Sequence, residues 1–229
     1  MYALIIAGGE GERLRPLTND RPKNMVPVAG RPLVEHQIDW LRENGVTDVV
    51  LLTGYRADVL QAHLGDGSRF GVRTQYSHED EPLGRGGALK QGWTRVPGGE
   101  QYVIACNGDI LTDQPLAPIV EYHREKQAVA TIMLSALRSP FGIVDVEDDG
   151  RVVSFREKPV LPFWVNAGIY VLSREFFGLL PDRGDHETTT FPGLAEQGKL
   201  FAFKSEASWR SVDSIKDLSE AEKEFEQAR

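Results

Sequence analysis

The stretch Tyr2-Ala3-Leu4-Ile5-Ile6-Ala7-Gly8-Gly9-Glu10-Gly11-Glu12-Arg13 runs from an unbroken apolar segment straight into three glycines and a basic side chain. Six apolar residues are too few for a helix, and such a run closed by glycines reads as a strand buried on both faces, as in parallel sheets. Glycines directly after the strand let backbone N–H groups crowd around an anion. From Arg13 to Arg31 the basic residues Arg13, Arg15, Arg21, Lys23 and Arg31 stand against one acid, Asp20. The segment therefore reads as a polyphosphate cradle. It is not a P-loop, which needs a Lys-Ser/Thr pair after the last glycine where this chain has Glu12-Arg13. Nor is it a dinucleotide fingerprint, since no third glycine follows Gly11 in the loop, which runs on into Glu12-Arg13-Leu14.

Outward from this loop the chain alternates strand and helix signals. Helical spacing of Val34, Ile38 and Leu41, with Pro32 in the first turn and Gly45 at the end, predicts a helix over 32–44. Strands are expected at 48–53, 72–76 and 102–106, and helices at 56–64 and 86–93. Repeated strand-helix units imply an α/β fold whose mostly parallel sheet is covered on both faces. Ligands bind such sheets at the carboxyl ends of strands, where the glycine loop and Asn107-Gly108-Asp109 both fall. After about Pro118 the pattern turns β-rich, with strands expected at 128–137, 142–146, 151–155 and 164–172 and a turn at Asp148-Asp149-Gly150. Helices are expected at 173–180 and 214–227, the last capped by Ser214. No low-complexity linker divides the chain. One domain over 1–229 is expected, with lobes 1–117 and 118–229.

The formal net charge is -8, so a single basic loop points to a small polyanion and away from nucleic acid, which needs a broad basic face. A lone cysteine, Cys106, fits a reducing compartment and reads as packing. No apolar run reaches membrane-spanning length and no leader is apparent, so a cytoplasmic protein without a membrane partner is expected. The acidic run His78-Glu79-Asp80-Glu81 reads as a solvated loop, and His186-Glu187 lacks the second histidine of a zinc motif.

The run Gly9 to Lys23 fits G-x-G-x-R-L-x-P-L-T followed by x-x-x-P-K, and Pro27-Val28-Ala29-Gly30-Arg31-Pro32-Leu33 extends it. Further matches are Glu81-Pro82-Leu83-Gly84-Arg85-Gly86-Gly87-Ala88-Leu89, Asn107-Gly108-Asp109, Phe141-Gly142, Glu157-Lys158-Pro159 and Val165-Asn166-Ala167-Gly168-Ile169-Tyr170. In this order, over nearly the whole chain, they resemble the sugar-1-phosphate nucleotidyltransferases. The fold this implies is a three-layer α/β/α Rossmann-like nucleotidyltransferase domain with a mixed, mostly parallel sheet and a β-rich sugar-binding lobe. The implied substrates are a nucleoside triphosphate and a sugar 1-phosphate, and the implied cofactor is Mg2+. A phosphate monoester is already largely dianionic near neutral pH, so attack on the α-phosphorus needs charge neutralisation and positioning and no general base.

By the same resemblance, Ala7, Gly8, Gly9, Gly11, Pro82, Gly84, Gly87 and Asn107 would bind nucleotide, and Arg13 would grip its outer phosphates through a planar fork. Lys23 would lie between the α-phosphate and the sugar phosphate, and Asp109 would hold magnesium. The family's W-x-D-x-G-T pattern is altered here to Trp209-Arg210-Ser211-Val212-Asp213-Ser214, which nominates Asp213 as the second metal ligand and leaves a plain turn aspartate as the alternative. Gly142, Glu157, Lys158, Asn166 and Gly168 would receive the sugar phosphate. The stretch 82–88 is similar to guanylyltransferases acting on mannose or heptose 1-phosphates, while the Trp209 variant is similar to cytidylyltransferases. A silent sugar-nucleotide-binding homologue, and transfer to another phosphorylated acceptor, stay open, as does a homodimer. Glu12, opposed in charge to the ligand, is expected to turn away from it or toward a cation. No C-terminal β-helix is expected.

Overall fold

The computed structural model describes residues 1–227; the last two residues of the expected 1–229 domain lie outside the described residues. In chain order the elements are β1 (Tyr2–Ala7), β2 (Pro27–Val28), β3 (Arg31–Pro32), α1 (Leu33–Glu43), β4 (Asp48–Thr53), α2 (Ala57–Leu64), β5 (Arg73–His78), α3 (Gly84–Trp93), β6 (Tyr102–Asn107) and β7 (Ile110–Thr112). They continue with α4 (Leu116–Glu125), β8 (Ala130–Arg138), β9 (Ile143–Val146), β10 (Val152–Arg156), β11 (Val160–Ser173), α5 (Arg174–Gly178), α6 (Thr190–Glu196), β12 (Leu200–Lys204), β13 (Trp209–Ser211) and α7 (Ile215–Gln227).

Seven strands form one sheet in the order β12-β8-β11-β6-β1-β4-β5. All neighbours are parallel except at β11, which runs antiparallel to both β6 and β8. The connection from β6 through α4 to β8 skips one sheet position. β11 returns from the β9–β10 hairpin to fill it, so strands from both expected lobes share one sheet. Alternate residues of β1 face opposite cores: Ala3, Ile5 and Ala7 pack with α1, α2 and α4, and Leu4 packs with α3, α5 and α6. The sheet is thus covered on both faces by helices, the three-layer mixed α/β architecture.

Local sequence accounts for several ends. The end of α1 is a Schellman turn: Gly45 has φ +82°, its N–H reaches the Arg42 carbonyl at 2.9 Å, and the Val46 N–H reaches Leu41 at 3.0 Å. At the start of α7 the Asp217 N–H donates to Ser214 Oγ at 3.2 Å, while the Asp217 carboxylate receives the Ser214 hydroxyl at 2.7 Å and the Asp213 N–H at 3.3 Å. The turn at 148–150 closes with Gly150 at φ +86°. Two helices were not expected. Helix α4 carries Pro118 and α6 carries Pro192, each in the first turn, where proline's missing N–H costs nothing.

Two small features govern what the sheet can hold. A Cβ on Gly108 would stand 2.4 Å from the Ile6 carbonyl oxygen, which accepts the Gly108 N–H at 2.9 Å. His186 is fully buried among Tyr170, Phe176 and Phe191, and neither of its ring nitrogens has a hydrogen-bond partner. Burial pushes its imidazole down to about 4, and burial likewise holds His123 at about 4.

Gly108→Ala is expected to cost about 1–3 kcal/mol by forcing two strand ends apart, read as a Tm lower by roughly 3–10 °C. For His186 the unfolded chain takes up the proton first, so its contribution is complete above the ordinary value of 6.5 and is lost as pH falls toward about 4. That loss is on the order of 3 kcal/mol at most. In His186→Leu, urea midpoints measured from pH 7 down to about 4 should fall less steeply than in the wild type, with His123 supplying the remainder.

Candidate active site

A cleft of about 1000 Å³ opens at the carboxyl ends of β1, β4, β5 and β6. Of the residues nominated from sequence, Ala7, Gly8, Gly9, Arg13, Lys23, Pro82, Gly84, Asn107, Asp109, Asn166, Gly168 and Asp213 line it together. At its centre the Lys23 ammonium donates to Asp109 Oδ2 and to Asp213 Oδ1, from residues 86 and 190 positions away. Arg13 Nη2 lies 3.0 Å from the same Asp213 oxygen, and Ser211 Oγ donates to the other at 3.0 Å. The Val212 N–H donates to the Asp109 carbonyl at 2.9 Å, tying β13 to the end of β6. Lys23 is aimed by its own loop: Gly11, at φ +67°, lies so close that a Cβ there would stand 3.0 Å from Lys23 Cβ. Gly11 therefore shapes the loop from behind and does not line the cleft.

Electrostatics distinguish the two aspartates. Burial raises the Asp109 carboxyl above the ordinary aspartate range; Lys23 opposes the rise and the Asp213 charge adds to it. Burial pulls Asp213 the same way, but the hydrogen bond and charge of Lys23, with Ser211 and Arg13, outweigh it and leave Asp213 low. Asp109 Oδ1 is buried without a hydrogen-bond partner. Two carboxylates converging on one point, with an oxygen unspent, suit a hard divalent cation. Among the described residues no third His, Cys, Asp or Glu completes a cage. Two protein carboxylates supplemented by phosphate oxygens and water are how magnesium is usually held.

The acceptor side differs from expectation. Gly142, Glu157 and Lys158 lie outside the cleft, where the β9–β10 hairpin, a two-stranded sheet of its own, joins the rest of the chain. They remain grouped: a Cβ on Gly142 would stand 3.1 Å from Glu157 Oε2. Lys158 takes φ +44° at the bend into β11. Inside the cleft, Glu187 takes a place that spacing did not mark. Its Oε1 receives Arg85 Nη1 at 2.8 Å, Asn166 Nδ2 at 2.9 Å and the Tyr170 hydroxyl at 3.0 Å. Arg85 Nη2 reaches Glu187 Oε2 at 2.7 Å, and Arg85 Nε reaches Asp185 at 2.8 Å.

Gly87 does not line the cleft, because the start of α3 is pressed against residues 182–186. A Cβ on Gly87 would stand 2.5 Å from the Asp182 carbonyl oxygen, and the Gly86 N–H donates to the Gly184 carbonyl at 2.9 Å. The run 78–81 is not simply a solvated loop. His78, Glu79 and Asp80 line the cleft, and Glu79 Oε2 accepts the Leu83 N–H at 3.0 Å. Glu12 is exposed outside the cleft. Cys106 is packing: it is fully buried, and burial pushes its thiol up to about 12. No helix among the described residues is long and apolar enough to cross a membrane.

Known proteins are similar to this chain in sequence and in fold. The family model for nucleotidyl transferases matches residues 2–228. A mannose-1-phosphate guanylyltransferase of Mycobacterium tuberculosis is 34% identical over 94% of this chain and 62% of its own length. A UTP–glucose-1-phosphate uridylyltransferase of Synechocystis is 31% identical over 96% of this chain and 62% of its own length. The chain thus spans about 62% of the length of these curated relatives. Among solved structures, HddC from Yersinia pseudotuberculosis superposes with a TM-score of 0.79 at 26% identity, covering 98% of this chain and 99% of that one. HddC complexed with GMP-PN superposes with a TM-score of 0.76 at 25% identity, over 98% and 99% of the two chains. The match runs from the first strand to the last helix, and the chain therefore belongs to the nucleotidyl transferase family.

Proposed function

We propose that this chain transfers a nucleoside monophosphate from a nucleoside triphosphate to a sugar 1-phosphate, giving a nucleoside-diphosphosugar and pyrophosphate. GTP is the first-choice nucleotide and a mannose- or heptose-like sugar the first-choice acceptor. The observation that carries the reading is the convergence of Lys23, Asp109, Asp213 and Arg13 beside the glycine loop, at the strand ends where such sheets bind phosphates. The guanylyl choice is supported by the mannose-1-phosphate guanylyltransferase relative and by HddC with GMP-PN. The uridylyltransferase relative, at 31% identity, keeps UTP in the screen.

In the proposed reaction an oxygen of the sugar phosphate forms a bond to the α-phosphorus as the bond from that phosphorus to the bridging β-oxygen breaks. Both partners are polyanions, so the barrier is mostly repulsion and charge on the leaving pyrophosphate. Magnesium held by Asp109 and Asp213 would neutralise part of that charge. Backbone N–H groups of the glycine loop cradle the triphosphate, and the Arg13 fork engages its outer oxygens. The Lys23 ammonium is a compact charge on a flexible stem and serves the two phosphates that must meet. Asn166 is held by Glu187 and lies on the acceptor side. Glu157 and Lys158 stand at the hairpin root outside the cleft, and would meet only a part of the acceptor that projects beyond it.

Pyrophosphate release, screened with GTP, UTP, CTP, ATP and dTTP against a panel of sugar 1-phosphates, should give turnover with magnesium, fastest with GTP. Silence across the panel refutes the enzymatic reading, and preference for another nucleotide corrects the base. With the working pair, Lys23→Met and Asp109→Asn should each lower kcat by about 100-fold or more. Equal turnover in either variant removes that residue from the mechanism.

A further inference from the structure

Arg13, Lys23, Asp109 and Asp213 form a closed set of charges. Lys23 donates to both aspartates and Arg13 meets the same Asp213 oxygen, so two bases balance two acids. Among the described residues none of the four has an ion-pair partner outside the set. Asp109 Oδ2 and Asp213 Oδ1 both turn toward the Lys23 ammonium, which therefore stands where a cation bridging the two carboxylates would stand. Lys23 and Asp109 are only 17% and 16% exposed, and an unpaired charge at that depth is costly. In the proposed reaction, however, Lys23 and Arg13 serve phosphates. The resting contacts and the reaction thus put the same two bases in different places.

We infer that Lys23 and Arg13 hold the metal position shut in the resting protein and give it up only by exchange for a divalent cation. The inference rests on the reading of Asp109 and Asp213 as the metal ligands. Such an exchange leaves no carboxylate bare: two singly charged bases are replaced by one doubly charged ion, and both bases are released toward the triphosphate. A monovalent ion would leave one acid unbalanced. The fold lets the lysine move while the acids stay. A Cβ on Gly11 would stand 3.0 Å from Lys23 Cβ and 3.4 Å from its Cγ, so the root of the side chain is fixed against the loop and the flexible remainder is free to turn. Ser211 Oγ donates to Asp213 Oδ2 at 3.0 Å, and the Val212 N–H donates to the Asp109 carbonyl at 2.9 Å, contacts in which Lys23 has no part. The site is thereby kept for a cation that comes with phosphates able to receive the two bases.

Titration calorimetry with Mn2+ alone on the full chain tests this without nucleotide or acceptor. Lys23→Met should bind Mn2+ tighter than the wild type by about 10-fold or more, since a unit charge leaves the metal position. Arg15→Met removes the same charge from a pair with Glu10, outside the cluster, and should stay within about twofold of the wild type. In the wild type, Mg2+ should raise severalfold the rate at which an amine-acylating reagent modifies Lys23, read by mass spectrometry, with the other lysines unchanged. Equal affinity in Lys23→Met and the wild type overturns the inference, as does an equal gain in Arg15→Met or no measurable affinity in any of them. Acylation of Lys23 that Mg2+ leaves unchanged or slows overturns it as well. Silence in the nucleotide screen counts against the proposed reaction alone, because no nucleotide enters these measurements.

Discussion

One ammonium group shared by two carboxylates organises the candidate site. Lys23 comes from the loop after β1, Asp109 from the end of β6 and Asp213 from the segment before α7, so their meeting requires three distant parts of the chain to be held in register. A small separate core does the holding. Leu14, Val26, Val28 and Leu33 from the loop region pack with Val212, Leu218 and Ala221 near the chain's end. Apolar burial there, at roughly 25 cal/mol per Å², keeps the long phosphate loop from floating free of the sheet. The charges of the partly buried cluster are then paired, although one Asp109 oxygen keeps no hydrogen-bond partner.

A second network fixes the opposite wall. Arg85 at the start of α3 clasps Asp185 and Glu187, and Glu187 in turn holds Asn166 and Tyr170 on β11. Glycines at 84, 86 and 87 allow the helix start to lie against residues 182–186 without a clash. The wall is therefore built from three separated segments. The hairpin that carries Glu157 and Lys158 is joined to it only through β8 and β11.

The legible parts of the fold were those whose burial follows from local pattern. Tyr2–Ala7, Asp48–Thr53 and Tyr102–Asn107 each contain a continuous apolar run because parallel strands are covered on both faces. The Gly45 helix end and the Ser214 cap were readable because capping chemistry is local. Helices α4 and α6 escaped because Pro118 and Pro192 look like breaks until their place in the first turn is known. The antiparallel entry of β11 escaped because strand order is set by long-range pairing, which leaves no mark in a residue pattern.

For the site the division is similar. The sequence by itself determined the glycine loop, its basic excess and the placing of Asp109 at a strand end, since each rests on neighbours in the chain. Glu187 was set aside because beside His186 it fits no local motif; only the fold turns it into the cleft, 21 residues from the Asn166 it binds. Gly87 and Gly11, both expected on the nucleotide side, do not line the cleft and lie close against Asp182 and Lys23; a missing Cβ serves ligand or packing alike, and spacing cannot say which. The meeting of residues 23, 109 and 213 was decided only by tertiary structure. Separation along the chain carries no distance, and the packing of Val212 against Leu14 and Val26 supplies it.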